Sequence, residues 1–210
     1  MKIKIYKSLV KSTLKLHNFF YSLSSFLSIK NELGLHPKHR LIDYHKFFIN
    51  NIEAKDIVLD IGCGNGALTF DVAQKSKKVI GIDLSGNNID FARKKYSAKN
   101  IEYICGDALK NLPTENFDVI ILSNVLEHIE NRVEFLKKIK NISPKILIRV
   151  PMINRDWITL YKKELGVEYR LDKTHFIEYT IESFQDELEK VDLKAYNYTI
   201  QFGEIWAIIK

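Results

Sequence analysis

The chain has 210 residues, enough for one α/β domain and too few for two full ones, and its 46% hydrophobic content excludes a disordered chain. Two cysteines, Cys63 and Cys105, form no CxxC pair and no disulfide framework, which fits a reduced, intracellular setting. The net charge of +6 sits in residues 1–30, where Lys2, Lys4, Lys7, Lys11, Lys15 and Lys30 face no acid; the rest of the chain is balanced, which argues against a uniformly basic nucleic-acid-binding face.

In this basic arm Lys7, Lys11 and Lys15 recur at helical spacing, with Ile3, Tyr6, Val10 and Leu14 on another side. Phe19-Phe20-Tyr21 and Phe26-Leu27 follow. Two roles are open: an accessory helix packed on the domain with a solvated lysine face, or a peripheral contact with an anionic membrane surface. Serines interrupt the apolar run and no A-x-A-like site follows, which argues against a secretory signal. No segment approaches the ~20 apolar residues of a transmembrane helix. The expected location is cytoplasmic, at the inner membrane surface if the second role holds. Residues 1–50 read as an N-terminal helical extension and 51–210 as the main domain.

From Ile57 onward short apolar runs alternate with helical patterns, the sign of a parallel sheet covered on both faces. Strands are predicted at 57–61, 79–83, 101–105, 118–123 and 145–150, and helices at 66–76, 87–98 and 129–141. Residues 152–178 read as irregular. A helix from Ile181 to Lys190 follows with Thr180 as its N-cap. Strands near 193–201 and 204–210 are joined by a short connection and so are antiparallel. The predicted fold is α/β, a doubly wound Rossmann-like sheet of seven strands.

The functional signal is concentrated in Val58-Leu-Asp-Ile-Gly-Cys-Gly-Asn-Gly66, a buried strand feeding a glycine turn in which a ligand can lie against the main chain. Gly62, Gly64 and Ala67 also satisfy a loose dinucleotide fingerprint. Asp60 disfavours that reading, because a carboxylate there repels a pyrophosphate and attracts a cation. S-adenosyl-L-methionine, with a sulfonium and an ammonium and no phosphate, suits an acidic turn. Asp83 ends the second strand about 20 residues beyond the turn, where an acid accepts hydrogen bonds from a ribose diol. Asp107, in Gly106-Asp107-Ala108, either meets an adenine amino group, with the Ala108 amide on a ring nitrogen, or merely caps a turn. Ser123 and Asn124 end the fourth strand beside the reacting methyl, whereas Asp118 starts that strand and reads as structural.

VLDIGCGNG, GIDL, GDA and FDVIILSNVLEHI, in this order and spacing, resemble the class I S-adenosylmethionine-dependent methyltransferases, within them the small domains with a V-L-E-H element after the fourth strand. The resemblance covers about residues 55–152, and more loosely 171–210. The segment HPKHRLIDYHKFF, 36–48, looks like that before the glycine turn in enzymes of glycan or lipid modification. The resemblance implies strand order 3-2-1-4-5-7-6 with the last strand antiparallel. It also implies that Asp60, Gly62, Cys63 and Gly64 hold the methionine moiety. Asp83 and Leu84 would then serve the ribose, Asp107 and Ala108 the adenine, and the Ser123 backbone the methionine portion. Arg40 either pairs with the cofactor carboxylate or is an ordinary surface residue.

Methyl transfer from a sulfonium needs alignment above all, and a hydroxyl acceptor needs a base as well. The candidate bases are His128 and His175, followed by Tyr44 and His45. Glu127, His128, His175 and Glu178 could together form a carboxylate–histidine metal site. Such residues resemble those of small-RNA 2′-O-methyltransferases, but Asn124 stands where that pattern has a further Glu, so no metal is expected. The expected partner is a glycan, a lipid-linked or another small-molecule acceptor. The alternatives are a quinone or acyl-carrier substrate, metal-dependent RNA methylation, and a non-catalytic cofactor-binding subunit. Arginines and aromatics in 149–170 suit either an acceptor pocket or a packed lid. Oligomeric state is left open.

Overall fold

The computed structural model describes residues 2–32 and 36–210, with side chains from Ile5 onward, so Ile3 of the basic arm lies outside the described side chains. Three helices come first: α1 (Lys2–Asn31), α2 (Lys38–Ile42) and α3 (His45–Asn50). Then β1 (Ile57–Ile61), α4 (Ala67–Ala73), β2 (Lys78–Asp83), α5 (Gly86–Lys95), β3 (Ile101–Cys105) and β4 (Val119–Ser123) alternate. A 3-10 turn (Leu126–His128), α6 (Arg132–Ile139), β5 (Ile146–Pro151), α7 (Trp157–Glu164), α8 (Ile181–Glu189), β6 (Ala195–Gln201) and β7 (Glu204–Ile209) complete the chain.

The seven strands form one sheet in the order β3-β2-β1-β4-β5-β7-β6, parallel from β3 to β5, with β7 antiparallel to both neighbours. The central strands carry apolar residues on both faces because helices cover both: β4 is buried from Val119 to Leu122 and β5 throughout. One face packs against α6 and α8 through residues such as Ile120, Leu136, Ile148 and Phe184. On the other, α3 and α4 bring Tyr44, Phe48, Leu68 and Val72 onto Val58, Val119 and Leu147. Strand order reverses between β1 and β4, which run parallel, and a doubly wound sheet opens a crevice at the carboxyl ends of the strands at such a point.

Two local expectations are corrected. Residues 152–178 contain a helix, α7, because the Asp156 side chain accepts the Thr159 amide at its N-terminus and holds the first turn. The helix expected over 129–141 is α6 alone; Ile129 is extended between the 3-10 turn and Asn131, so the helix begins only at Arg132. Thr180 caps α8 as expected, and in return its own amide donates to Ser183 Oγ at 2.9 Å. Asp118 accepts the Ile57 amide at 2.8 Å, the structural task expected of it.

Candidate active site

The glycine turn leaves β1 at the switch point, and its backbone is left-handed at Gly62, Gly64 and Gly66. At Gly66 (φ +83°) a Cβ would lie 2.6 Å from Tyr103 Oη and 2.7 Å from Ala92 Cβ, so this glycine lets the turn close on β3 and α5. A Cβ on Gly64 would meet nothing within 4 Å. That open side belongs to a cavity of roughly 240 Å³ lined by His39, Tyr44, Asp60, Gly62, Cys63, Gly64, Asn65, Ala67, Leu68 and Ser123.

Asp60 is a strand residue, not part of the turn, and is 1% exposed. Its Oδ2 accepts the Thr69 hydroxyl at 2.6 Å. Burial, opposed by the Thr69 bond and aided by the Asp83 charge, raises its pKa to about 7. The sequence reading treated this carboxylate as a fixed anion; the fold makes it a group poised to ionise near neutrality. Asp83 ties the turn to β2. Its Oδ2 accepts the Gly64 amide at 2.9 Å, and its Oδ1 accepts the Ser85 amide at 2.8 Å and the Asn88 amide group at 3.3 Å. The Asp83 carbonyl accepts the Gly106 amide, which brings the end of β3 alongside.

Asp107 caps a turn: Oδ1 accepts the Leu109 amide at 2.9 Å and Oδ2 lies 3.4 Å from Lys110 Nζ. Ala108 packs against the core and Leu84 is exposed. None of these three lines the cavity. Arg40 lies outside it, lining a neighbouring cavity with Asp43, Asp71 and Tyr96, and its guanidinium pairs with Glu32 at 2.9 Å. Three lining residues carry no signal in the sequence analysis, His39, Asn65 and Leu68. Burial, then the charges of His45, Lys38, Arg149 and His36, lower the His39 pKa to about 4, so that His39 is neutral at physiological pH. The cavity wall thus carries Asp60, with Asp83 behind the turn, and the His39 imidazole contributes no charge; these residues fit a cationic ligand.

Beyond Ser123 the chain turns sharply at Asn124 (φ +56°), whose side-chain amide donates to Glu127 Oε1 at 2.8 Å. Glu127 is fully buried, and among the described residues its Oε2 has no hydrogen-bond partner, nor has Asn124 Oδ1. His128 and His175, distant in sequence, lie edge to face with ring centroids 4.6 Å apart. Glu127, His128 and His175 each direct one ligand atom to within 4.8 Å of the others, a convergence that the Asn124 argument did not anticipate. His175 is buried, with Nδ1 3.2 Å from Glu178 Oε1. Burial alone would raise the Glu178 pKa, but bonds from His175, the Leu171 amide and Arg155 bring it below the ordinary carboxylate value. Tyr44 and His45 face other tasks: the Tyr44 hydroxyl meets His39 Nδ1 at 2.9 Å and His45 Nδ1 meets Asp71 at 2.6 Å.

Arg155 and Arg170 belong to a packed lid between β5 and α8, whereas Arg149 lies in β5. Arg155 holds Glu178 and the Tyr169 carbonyl, and Arg170 holds Glu168 and the His175 carbonyl. Arg149, 2% exposed, pairs with Glu204 at 3.1 Å and stacks over the Tyr44 ring at 3.7 Å.

A doubly wound sheet of this order, with an acid on the strand before a glycine turn and a second acid ending the next strand, defines a class I methyltransferase. The model of the family described as "Methyltransferase domain" matches residues 59–144. A ubiquinone biosynthesis O-methyltransferase of Bradyrhizobium diazoefficiens is 36% identical over 118 residues, 54% of this chain and 46% of that protein. A protein of Methanococcus maripaludis named probable cobalt-precorrin-6B C(15)-methyltransferase (decarboxylating) is 33% identical over 125 residues, 58% of this chain and 67% of that one. The structure of an S-adenosylmethionine-dependent methyltransferase from Clostridium acetobutylicum superposes with a TM-score of 0.65 at 15% identity, covering 91% of this chain and 98% of that chain. The chain belongs to the S-adenosylmethionine-dependent methyltransferases, whose cofactor is S-adenosylmethionine. Its matched region spans about half the length of the ubiquinone-pathway relatives.

Proposed function

We propose that this protein O-methylates a small hydroxylated acceptor of the lipid-linked or quinone type, with His175 as general base. The observation that carries this is the His175–Glu178 pair. An ionised, buried carboxylate at Nδ1 favours the proton on that nitrogen and leaves Nε2 free to accept one from an acceptor hydroxyl. Lid arginines hold both members, so the imidazole is oriented before an acceptor arrives. His128 stacks on its edge and donates to or accepts from the Thr174 hydroxyl at 2.9 Å, a bond that orders the same segment. Asp60, Asp83, the glycine turn and the Ser123 backbone are proposed to hold the cofactor, with Leu84, Asp107 and Ala108 at the adenosine end. When bound, S-adenosylmethionine supplies a methyl group on an activated sulfonium; the protein's own tasks are to align the acceptor and take its proton. The ubiquinone-pathway names of several relatives support a hydroxyl acceptor over an RNA or a protein.

The test is transfer of labelled methyl from S-adenosylmethionine into cell extract, separated into organic-soluble, aqueous small-molecule and RNA fractions. Label should enter the organic or small-molecule fraction. His175→Ala should lower the rate by about 10²–10⁴-fold while calorimetric cofactor affinity stays within twofold. Label confined to RNA, or full activity in the variant, would overturn the proposal.

A second reading keeps the reaction and adds a divalent cation, favoured by the convergence of Glu127, His128 and His175 beside the unpartnered Glu127 Oε2. Those three residues would hold the ion, which would polarise the acceptor oxygen. Activity unchanged after exhaustive chelation would remove this reading; loss restored by one added divalent metal would establish it.

A further inference from the structure

Helix α1 has two apolar faces, and the body of the protein covers only one. Leu14 is buried against Leu165 and Val167, with Val10, Ile158 and Tyr161 around it, while Asn18 donates to the Glu168 carbonyl at 2.7 Å. At 100° per residue, Val10, Leu14 and Asn18 share one side of the helix. Ile5, Leu9, Leu16, Phe19, Phe20, Leu23, Phe26 and Leu27 lie on the opposite side, within a ~120° sector. Every one of these eight is exposed, seven of them by more than half. From Ile5 to Leu27 the face runs for about 33 Å. An exposed apolar surface of that length, interrupted within the sector only by Ser8 and Ser12, marks a binding surface rather than a solvated helix.

The charges around this face select its occupant. Residues 1–30 contain six lysines and no acidic residue. Lys15 borders the apolar sector on the wheel, Lys11 lies one step further round, and Lys30 closes its far end beside Phe26. A second copy docking here would bring a second acid-free, lysine-bearing arm with no countercharge. An anionic lipid surface supplies that countercharge and accepts the aromatic and leucine side chains into its acyl boundary, with lysine heads at the phosphates. No helix among the described residues is long and apolar enough to cross a membrane, so the helix would lie along the surface.

We propose that α1 docks this protein flat onto anionic bilayers through the Ile5–Leu27 face. The inference extends the proposed function. α1 rests on α7 and on Glu168, whose partner Arg170 holds the His175 carbonyl, so the docked helix sits on the lid that orders the base and favours an acceptor that resides in the bilayer.

Co-sedimentation of the full chain with vesicles tests this, using phosphatidylcholine alone or with phosphatidylglycerol added. Binding should require phosphatidylglycerol and weaken between about 0.1 M and about 1 M salt, as the screening length falls from ~10 Å to ~3 Å. Leu16→Asp/Phe20→Asp, which alters exposed side chains only, should reduce it more than tenfold. Cofactor affinity measured by calorimetry should be unchanged in that variant, which separates loss of docking from loss of fold. Absence of vesicle binding, or equal binding by the double variant, would overturn the proposal. A dimer in analytical ultracentrifugation that the double variant dissociates, without vesicle binding, would assign the face to a second copy instead. Cofactor binding in the wild-type chain is read independently, so docking can fail without the methyltransferase reading failing, and the reverse.

Discussion

Asp60→Asn isolates the electrostatic core of the proposed cofactor site. In the folded protein without ligand, the Asp60 pKa is about 7 against an ordinary 3.8, because burial penalises the anion. A folded pKa raised on an acid is a destabilising contribution: it is absent below pH 3.8, grows as pH rises towards 7, and levels off above. Its full size is about 4 kcal/mol at 1.36 kcal/mol per pKa unit. A cationic ligand reverses the balance, drawing the pKa down and releasing a proton on binding. The ionised fraction rises from about one in eleven at pH 6 to about ten in eleven at pH 8, so wild-type affinity should rise about tenfold across that interval. Asp60→Asn keeps an oxygen for the Thr69 hydroxyl and removes the titration. Its affinity should be weaker at pH 8 and flatter with pH, and its unliganded stability at pH 8 should equal or exceed that of wild type. Calorimetry at pH 6, 7 and 8, in two buffers of different ionisation enthalpy, measures affinity and proton release together. Comparison with the variant cancels the titration of the ligand's own ammonium. Equal pH slopes in the two proteins would refute the argument.

Gly66→Ala should lower Tm by about 5–10 °C and abolish cofactor binding, since the added Cβ meets Tyr103 and Ala92 at a left-handed backbone position; an unchanged thermal transition would contradict this. Arg149→Met should cost about 3–5 kcal/mol in urea unfolding, because it leaves Glu204 buried beside Trp206 without its cation, whereas Arg149→Met/Glu204→Gln should recover much of the loss. A double variant no more stable than the single one would show that the pair is not coupled.

The sheet and the glycine turn that lines the cavity are legible in the sequence, because both are written locally. A strand buried on both faces must be a short apolar run, and a turn that crosses into the left-handed region beside β3 and α5 must carry glycine at fixed positions. Asp60, Gly62, Cys63, Gly64 and Ser123 stand out in the sequence, and the fold brings them round one cavity. The seven-strand order followed from the likeness of those motifs to a known family and is the order observed. α7 is not legible because its eight residues are too short a window for periodicity to mark, and the Asp156 cap that starts it shows only in the structure.

What the chain alone could not determine is whatever depends on burial and on contacts between distant segments. Asp60 reads as an acid in any sequence, but only its 1% exposure makes it titrate near neutrality. His128 and His175 are separate histidines until the lid folds over the 3-10 turn and stacks their rings, and Glu178 becomes the partner of His175 by the same closure. Arg155 and Arg170 look free to meet an acceptor until the fold commits them to Glu178 and Glu168. The N-terminal lysines and aromatics are plain in the sequence. Only the packing of Leu14 on Leu165 and Val167 reveals which side of α1 is left uncovered, since periodicity places apolar residues on both faces and tertiary contact selects one.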